Sequence, residues 1–558
     1  MTAITTEAVK ARPMTKEEKR VIVASSAGTV FEWYDFYLAG SLAVNISANF
    51  FSGVNPTAGF IFTLLGFAAG FAVRPFGALF FGRLGDLIGR KYTFLVTMTV
   101  MGLATFVVGL LPSYASIGIA APVAFIICRL LQGLALGGEY GGAATYVAEH
   151  APQGRRGYYT SWIQTTATVG LFLSLIVILG LRLSMSTEAF NAWGWRIPFL
   201  VSIILLGVSI WIRLSLQESP AFAKIKADGK QSKAPLKEAF GQWKNAKVAL
   251  LALLGGTAGQ AVVWYCGQFY ALFFLTQSLK VDGTTANIMI AVSLLIGTPF
   301  FIFFGWLSDR VGRKPIIMAG CLIAALTYFP LFGLLAKYAN PELMAAQERA
   351  PVTVTADPAQ CSFQFNPVGT SSFTTSCDVA KSFLARNSVN YHNVPAAPGS
   401  AAQVKIGDRV FQSVDLTGLP AAEAAAKNAA FNKELTEAIR AAGYPATADP
   451  AKMNRFMMVV ILTILVIFVT MVYGPIAAML VELFPTRIRY TGMSLPYHIG
   501  NGWFGGFLPP TAFAIVAATG DIFSGLWYPI AIAAMTFVIG MLLLPETKDR
   551  DIFTYDEN

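Results

Sequence analysis

Twelve long apolar stretches run through the 558-residue sequence, and they restrict the fold more than any other feature. A helix needs about 20 mainly apolar residues to cross the hydrocarbon core of a bilayer. Charged residues form only 13% of the chain, whereas a soluble domain carries about 25%. The sequence therefore predicts an all-α membrane protein. The stretches lie at roughly residues 21–51, 54–82, 92–112, 115–148, 157–181, 193–212, 248–279, 283–307, 315–336, 456–481, 490–518 and 522–545.

A ten-residue loop sequence occurs twice and indicates an internal repeat. Gly82–Lys91 is GRLGDLIGRK and Gly305–Lys314 is GWLSDRVGRK, so Asp86 and Asp309 lie 223 residues apart. Each aspartate can accept hydrogen bonds from backbone N–H groups at a nearby helix start, where the helix dipole favours negative charge. Because glycine turns without steric cost, we expect tight turns between helices at Gly85, Gly89 and Gly312.

The two halves differ in length. Glu149 follows the fourth stretch and Glu482 follows the tenth, and the interval from the repeated aspartate to this glutamate is about 110 residues longer in the second half. The extra chain must lie between the ninth and tenth stretches. We therefore divide the chain into an N-terminal six-helix half (1–216), a linker (217–247), helices 7–9 of the C-terminal half (248–337), an insertion (338–453), helices 10–12 (454–545) and a tail (546–558).

The distribution of charge predicts the orientation in the membrane. The net charge of +10 comes from the membrane part, because residues 338–453 carry nine Lys/Arg and ten Asp/Glu, and this argues against a nucleic-acid partner. Basic residues cluster before the first stretch, after the fourth and within 217–247, so the positive-inside rule places both termini in the cytoplasm. We expect a multi-pass protein of the cell inner (plasma) membrane with a periplasmic or extracellular insertion. The first stretch is too long and too charged for a cleaved signal peptide.

The insertion has the patterns of a small mixed α/β unit. Alternation at 351–355 predicts a strand, the run 403–414 predicts a hairpin, and 420–440 predicts a helix whose apolar stripe is interrupted by Asn428. On the oxidising side of a membrane, Cys361 and Cys377 are expected to form a disulfide. The alternative is two free thiols.

The repeated loop resembles the signature loop of the major facilitator superfamily of transporters. Further motifs resemble its metabolite:proton symporter branch, which carries 2-oxoglutarate, shikimate, citrate and proline or betaine. These motifs are GTVFEWYDF at 28–36, RLLQGLALGGEY at 129–140, WGWRIPF at 193–199 and ELFPTR at 482–487. The resemblance covers about residues 1–337 and 454–558. It implies a 12-helix major facilitator fold without a cofactor, and we assign gating or conformational roles to Asp86, Arg90, Asp309, Arg313, Glu149 and Glu482.

Five charged residues inside the predicted spans stand out, and all lie in the first half: Glu32, Asp35, Arg74, Arg129 and Glu139. A charge within a span costs at least about 2.5–3.5 kcal/mol on insertion scales, so each one needs a partner or a function. Glu32 and Asp35 share a helix face, where burial and mutual repulsion favour protonation of one carboxyl. We predict proton coupling by Asp35 or Glu32, with Asp35 favoured because it resembles the helix-1 acid that faces a helix-4 arginine in related facilitators. The alternative is static neutralisation by Arg129 and Arg74.

Substrate contacts are predicted from both halves. Arg129 can hold a carboxylate through two parallel hydrogen bonds, or it can form a permanent pair with an acid on helix 1. Arg74 can bind substrate or pair with Glu139, which is expected to be a structural partner. His498 is expected to be a neutral, hydrogen-bonded residue. The substrate-binding candidates are Arg129, Arg74, Gln132, Trp264, Gln268 and Asn501.

These features predict a proton-coupled symporter that imports a small organic carboxylate by alternating access. The main alternative is a carrier of a zwitterionic osmolyte such as betaine or proline, and a minor one is a non-transporting nutrient sensor. The sequence contains no ATP-binding Gly-x-x-x-x-Gly-Lys-Ser/Thr motif and no histidines at metal-ligand spacing, so an ATP-driven pump and a metalloenzyme are disfavoured. The expected partners are a small-molecule substrate, the proton and the lipid bilayer, and the expected oligomeric state is a monomer.

Overall fold

The computed structural model describes residues 14–52, 56–214, 216–366 and 371–553, and the side chains of residues 40, 43, 44 and 56–69 lie outside this description. Six long helices come first: Lys16–Ser41 (α1), Pro56–Ile88 (α2), Arg90–Leu110 (α3), Ala120–His150 (α4), Arg156–Ser184 (α5) and Gly194–Leu214 (α6). Five further long helices are Trp243–Ser278 (α7), Gly283–Val311 (α8), Arg313–Ala339 (α9), Arg455–Leu483 (α10) and Ser524–Leu543 (α12). Between the last two, α11 combines Arg489–Ile499, Gly500–Gly505 and Leu508–Thr519.

The helices form two bundles of six that meet along two matched seams. In the first bundle α4 packs along α2 and α3, and in the second α10 packs along α8 and α9. The seams between the bundles are α2 against α11 and α5 against α8. Gly137 allows the close approach of α4 to α2, because a Cβ at this position would collide with the backbone carbonyl of Arg74. The repeat in the sequence is thus a repeat of packing.

The outer surface of the bundles is apolar, as a lipid-facing surface must be. Within the described residues, nine helices are long and apolar enough to cross a membrane. Phe80, Leu183, Trp211 and Leu542 each expose more than half of their surface, which would be unfavourable in water but suits contact with lipid.

Short helices connect and cap the long ones, and they correct one detail of the predicted spans. The stretch 21–51 is two helices, since Ala43–Phe50 follows α1 after a break. Pro220 lies in the linker after α6. It starts a separate helix, because proline is favoured in a first turn, where its missing N–H is not needed. The short helices are Ala43–Phe50, Tyr114–Ile117, Thr187–Ala192, Pro220–Ala227, Pro235–Gly241 and Pro341–Arg349, with 3-10 turns at Gly194–Arg196, Pro358–Gln360, Thr486–Ile488 and Ser524–Leu526.

Two long helices contain wide π-helical turns that periodicity did not predict. Leu253–Thr257, Cys266–Tyr270 and Phe274–Ser278 interrupt α7, and Gly500–Gly505 interrupts α11. π-Turns occur frequently at functional sites. Both helices belong to the C-terminal half, which carries no charged residue in the middle of α7, α8 or α9.

The insertion combines a four-stranded sheet with three helices, the first of which is Pro341–Arg349. The strands are Val352–Ala356 (β1), Tyr391–Pro395 (β2), Gln403–Ile406 (β3) and Arg409–Gln412 (β4), in the order β2-β1-β3-β4. The predicted strand at 351–355 and hairpin at 403–414 correspond to β1 and to the antiparallel pair β3–β4. The predicted helix is Ala421–Ala441, whereas the second helix, Ser376–Arg386, and the parallel strand β2 were not predicted.

The insertion is attached to the C-terminal half and is cross-linked internally. Tyr391 N donates to Gly520 O at 2.8 Å beyond α11, and Ala448 N donates to Lys280 O at 2.9 Å beyond α7. Cys361 and Cys377 are joined as a disulfide, which ties the loop after β1 to the helix Ser376–Arg386.

Removing the disulfide should loosen the insertion and leave the bundles intact. Closing a loop of about 16 residues stabilises a fold by roughly 3 kcal/mol, so the double variant Cys361→Ser/Cys377→Ser should be cleaved by protease within the insertion at lower temperature. Dithiothreitol should reproduce the effect in the native protein and have no effect on the variant. Equal protease resistance of the oxidised and variant proteins would contradict this role.

Candidate functional site

A buried acid–arginine pair joins α1 to α4 near the middle of the first bundle. Arg129 Nη1 lies 3.1 Å from Asp35 Oδ2, and Gln132 Nε2 donates to Asp35 Oδ1 at 3.2 Å. Gln132 also donates to Thr105 Oγ1 on α3 at 2.7 Å. The three-residue spacing of Arg129 and Gln132 places both on one face of α4. The structure thus brings together the predicted proton site and two predicted substrate residues.

A second, looser pair lies one helical turn away. Arg74 Nη1 on α2 is 3.9 Å from Glu32 Oε1 on α1, and the Arg74 guanidinium stacks over the ring of Phe71 at 4.5 Å. Both side chains keep slightly more than a tenth of their surface exposed. Arg74 therefore pairs with Glu32, and the alternative prediction that it pairs with Glu139 is wrong.

The two pairs line one small cavity of about 40 Å³. This volume holds water but is far below the roughly 300–1,000 Å³ of typical ligand sites. The cavity must widen before a metabolite can enter, so this conformation is closed around its centre. The lining residues are Glu32, Asp35, Phe36, Gly70, Phe71, Arg74, Arg129, Gln132, Gly133 and Leu136.

An aromatic layer from α7 closes the cavity on the side of the second bundle. The rings of Trp33 and Trp264 are 4.9 Å apart, and those of Phe36 and Phe269 are 4.7 Å apart in an edge-to-face contact. Tyr265 meets Phe71 at 6.2 Å. Such pairs are worth about 0.5–1.5 kcal/mol each beyond their buried area, so they stabilise the closed form without fixing it.

Three buried polar groups beside this layer have no hydrogen-bond partner among the described residues. They are both ring nitrogens of His498 on α11, the side-chain amide of Gln268 and the indole N–H of Trp264. Each unsatisfied buried group costs about 1–3 kcal/mol, and these three are available to form hydrogen bonds. His498 is therefore not the hydrogen-bonded residue that was expected. Asn501 is already engaged, since its amide exchanges two hydrogen bonds of 3.3 and 3.2 Å with Gln260.

Glu139 is paired with an arginine that sequence reasoning missed. Arg213 Nη2 lies 3.1 Å from Glu139 Oε1, and Thr97 Oγ1 donates to Glu139 Oε2 at 3.0 Å. Arg213 also stacks over Phe94 at 3.4 Å. The residue was overlooked because the predicted sixth span ended at 212. Glu139 is therefore a structural partner, as expected, but it pairs with Arg213 on α6 and not with Arg74.

The repeated loops lock the two bundles together at one end, here named the loop end. Asp86 accepts from the backbone N–H groups of Tyr490 and Thr491 at 3.3 and 2.9 Å, in the first turn of α11. Asp309 accepts from those of Gly157 and Tyr158, both at 2.8 Å, in the first turn of α5. The predicted bonds to helix starts are confirmed, and each crosses from one bundle to the other.

Glu149 and Glu482 complete this lock with buried ion pairs. Glu149 lies 2.8 Å from Arg489 Nη1 and 3.8 Å from Arg90 Nη2. Glu482 lies 3.0 Å from Arg313 Nη2, and Arg156 Nη1 lies 3.5 Å away. Both glutamates belong to helix ends, not to the loops that follow. All six gating candidates meet here, while Arg156 and Arg489 were missed as site residues.

The motif at 482–487 ends at Arg487, which pairs with Glu238 near the surface. The arginine that pairs with Glu149 is Arg489, two residues further on. The repeat could have identified the correct residue. Arg156 and Arg489 are 333 residues apart, as are Glu149 and Glu482. The described part of the tail (546–553) packs against the loop end, because Ile552 O accepts a hydrogen bond from Arg489 Nη2 at 3.3 Å.

The glycines of the loops divide into two kinds. Gly89 and Gly312 have φ of +124° and +113° and make the predicted turns. Gly85 makes no turn, because it lies within α2, where a Cβ would collide with the ring of Tyr490. Its role is close packing at the seam between the bundles.

Two six-helix bundles, related by a repeat and closed around buried charge, define a membrane carrier of the two-lobed kind. The sequence family described as "Sugar (and other) transporter" matches residues 20–252 and 435–558, and the chain belongs to this family. The predicted superfamily, symporter branch and 12-helix fold are confirmed.

Relatives and solved structures agree with this assignment. The chain is 36% identical to the shikimate transporter of Escherichia coli K12 over 56% of its own length and 72% of that protein. It is 34% identical to the proline/betaine transporter of Salmonella typhimurium over 56% of its length and 64% of that protein. The proton:xylose symporter XylE bound to 6-bromo-6-deoxy-D-glucose has the same fold, with a TM-score of 0.60 and 15% identity over 96% of this chain and 98% of that one.

Breaking the Glu139–Arg213 pair should destabilise the first bundle strongly. Glu139→Gln leaves a buried guanidinium without its counter-ion, which costs about 3–5 kcal/mol. Thermal unfolding in detergent should show a clear fall in Tm, and Glu139→Gln/Arg213→Met should recover much of it. Glu423→Gln is the matched control, because its pair with Lys427 is half exposed and is worth at most about 1 kcal/mol. Equal Tm values for the two single variants would overturn this assignment.

Proposed function

We propose that this protein is a proton-coupled symporter that imports a small organic carboxylate by alternating access. The observation that carries the proposal is the central cavity, which two buried acid–arginine pairs of the first bundle line and an aromatic layer separates from neutral polar groups of the second. Ionisable residues inside a membrane bundle mark substrate and proton pathways. The site is complete within one chain, so we propose that the protein works as a monomer.

Proton binding and substrate binding are coupled through Arg129. With Asp35 ionised, Arg129 is held by the pair, and the bundle carries no net charge at this point. Protonation of Asp35 removes its charge and frees the guanidinium to hold a carboxylate through two hydrogen bonds. The proton and the carboxylate together leave the site neutral again. Either ligand alone leaves a buried charge uncompensated, which raises the cost of movement between states.

Glu32 and Arg74 form a second pair that can bind a charged group of the substrate. Their separation of 3.9 Å is longer than that of Asp35 and Arg129, so Arg74 can be drawn away by substrate at lower cost. His498, Gln268 and Trp264 would supply the hydrogen bonds from the second bundle. Gln132 would position Asp35 in both states. Asn501 would contact the substrate after its two hydrogen bonds with Gln260 break.

The loop end is proposed to be cytoplasmic and is closed in this conformation. The basic residues in the first turns of α1, those after α4 and those of the linker between the bundles lie toward this end, which the positive-inside rule assigns to the cytoplasm. The same proposal includes the inner membrane location, the cytoplasmic termini and the outward-facing insertion. It also includes the division of the chain into domains given above. Release of substrate inside then requires the Asp86, Asp309, Glu149 and Glu482 contacts to break together.

A zwitterionic substrate is the second candidate, and the aromatic layer favours it. Trp33, Trp264 and Phe269 lie beside the carboxyls of Glu32 and Asp35, and aromatic faces attract quaternary ammonium groups. The proline/betaine transporter is a relative. In this case the acids would balance the cation and Arg129 would hold the carboxylate of the same molecule.

A thermal-shift screen at two pH values should separate the two substrates. Shikimate or 2-oxoglutarate should raise the Tm, because a ligand at 100 times its Kd stabilises by about 2.7 kcal/mol. Arg129→Gln should abolish the shift, and Lys405→Gln, on the exposed face of β3, should leave it unchanged. Stabilisation by glycine betaine alone would replace the carboxylate proposal with the zwitterionic one.

Asp35→Asn should uncouple transport from the proton gradient. The variant resembles a permanently protonated site, so proteoliposomes should still exchange labelled for unlabelled substrate but should not accumulate it against its gradient when a pH gradient is imposed. Glu32→Gln is the matched comparison, since it neutralises the neighbouring acid on the same helix face. Full accumulation by Asp35→Asn would transfer the proton role to Glu32. Absence of any uptake by the native protein would favour a nutrient sensor.

A further inference from the structure

A large cavity lies outside the bundles, between the insertion and the C-terminal half. Its volume is about 750 Å³, within the range of small-molecule sites and far above that of the central cavity. Phe273 and Gln277 at the end of α7 and Phe513 on α11 form one wall. The insertion forms the other, through residues 364–366 and 371–373 and through its helices Ser376–Arg386 and Ala421–Ala441. Neither part encloses this space alone.

The lining is rich in hydrogen-bonding groups and has a single charge. Among the described residues that line it, Arg386 is the only charged one, and no carboxylate is present. Asn428 and Asn432 project from adjacent turns of the helix Ala421–Ala441. This explains why Asn428 interrupts the apolar stripe of that helix: it faces the cavity instead of the core. The polar groups are Gln277, Gln364, Asn366, Ser371, Ser372, Ser382, Asn387, Asn428 and Asn432.

Positive charge is concentrated beside the cavity without an acidic partner. The guanidinium of Arg386 makes no hydrogen bond or ion pair with the described residues, while its backbone carbonyl accepts from Lys280 Nζ at 2.5 Å. Burial, together with the nearby charge of Arg440, lowers the pKa of Lys280 to about 8. Lys280 therefore stays mainly protonated at neutral pH, and its ammonium group is bonded to the backbone of Arg386. An anion in the cavity would be attracted by the charges of Arg386 and Lys280.

The cavity continues inward along α7. A smaller chamber of about 70 Å³ shares Phe273, Gln277, Arg386 and Phe513 with it and reaches Tyr270. Tyr270 closes the π-turn Cys266–Tyr270, which is followed along α7 by the π-turn Phe274–Ser278. The residue before Tyr270, Phe269, contacts Phe36 of the central cavity. The same helix thus borders the outer and the central cavity.

We propose that this outer cavity, which we name the vestibule, is a second binding site that captures a small hydroxylated or oxo carboxylate before it enters the bundle. Arg386 holds the carboxylate, and the amides of Asn428, Asn432 and Gln277 bind its other polar groups. The inference rests on the proposed function, because the captured anion is the transported one. An amide-rich site with one cation releases its ligand easily, as a capture site must.

Equilibrium dialysis of the full-length protein with radiolabelled shikimate and with 2-oxoglutarate tests the vestibule. The native protein should bind two equivalents of at least one probe. Arg386→Gln should weaken one site on the order of tenfold, and so should Asn432→Leu, which removes an amide and keeps the charge. Arg129→Gln should abolish the other site only. Lys405→Gln, an exposed cation of the same insertion, should bind like the native protein.

Uptake into proteoliposomes separates this proposal from the proposed function. Arg386→Gln should take up the probe more slowly at low concentration and normally at saturation. If the protein takes up the probe but dialysis shows a single site that Arg386→Gln and Asn432→Leu do not affect, the vestibule proposal alone is overturned. Arg386-dependent binding without any uptake overturns carboxylate transport and, with it, the capture role. Binding of neither probe overturns both.

Discussion

The structure depends on one constraint: an ionised side chain inside an apolar bundle must have a counter-charge. Arg90, Arg156, Arg213, Arg313 and Arg489 are among the largest fully buried side chains of the described residues. Four of them belong to the loop end, where they share Glu149 and Glu482. Removing one member would leave a charge whose burial costs several kcal/mol. The lock therefore opens or closes as a unit.

The central pairs differ from this lock in a way that suits a different task. At the loop end, each aspartate accepts two backbone N–H bonds and also pairs with an arginine, 2.9 Å away for Asp86 and 2.7 Å for Asp309. In the centre, Glu32 and Arg74 are 3.9 Å apart, beside a cavity large enough for water. The central pairs can exchange partners with a proton or a carboxylate. The end pairs can only separate when helices move.

Continuous helices connect the two regions. α4 carries Arg129 at the centre and Glu149 at the loop end, and α11 carries His498 near the centre and Arg489 at its start. A change of charge beside Arg129 therefore acts on the same rigid element that holds one side of the lock. Close packing of α4 against α2 through Gly137 limits how far the centre can move independently. Coupling then follows from the stiffness of the helices, without a separate chain of contacts.

The sequence predicted what local pattern controls and missed what tertiary placement controls. Long apolar stretches, the repeat and the pairing of Asp35 with Arg129 follow from composition, spacing and resemblance. Arg213 was missed because it lies at a span end, where boundaries are least certain. Arg489 was missed because the quoted motif stopped at Arg487, although the repeat pairs Arg489 with Arg156. The π-turns of α7 and the parallel strand β2 have no distinct local pattern, since contacts distant in sequence decide both.

The placement of the insertion shows how a carrier can gain an outer domain without losing movement. Its bonds to the bundles go to the ends of α7 and α11, both in the C-terminal half. A domain bonded across both halves would oppose their separation, whereas one attached to a single half moves with it. The vestibule is lined by the insertion and the C-terminal half among the described residues, so a movement between the two halves would leave its geometry unchanged. This attachment also leaves the half that carries the central acid–arginine pairs free to move.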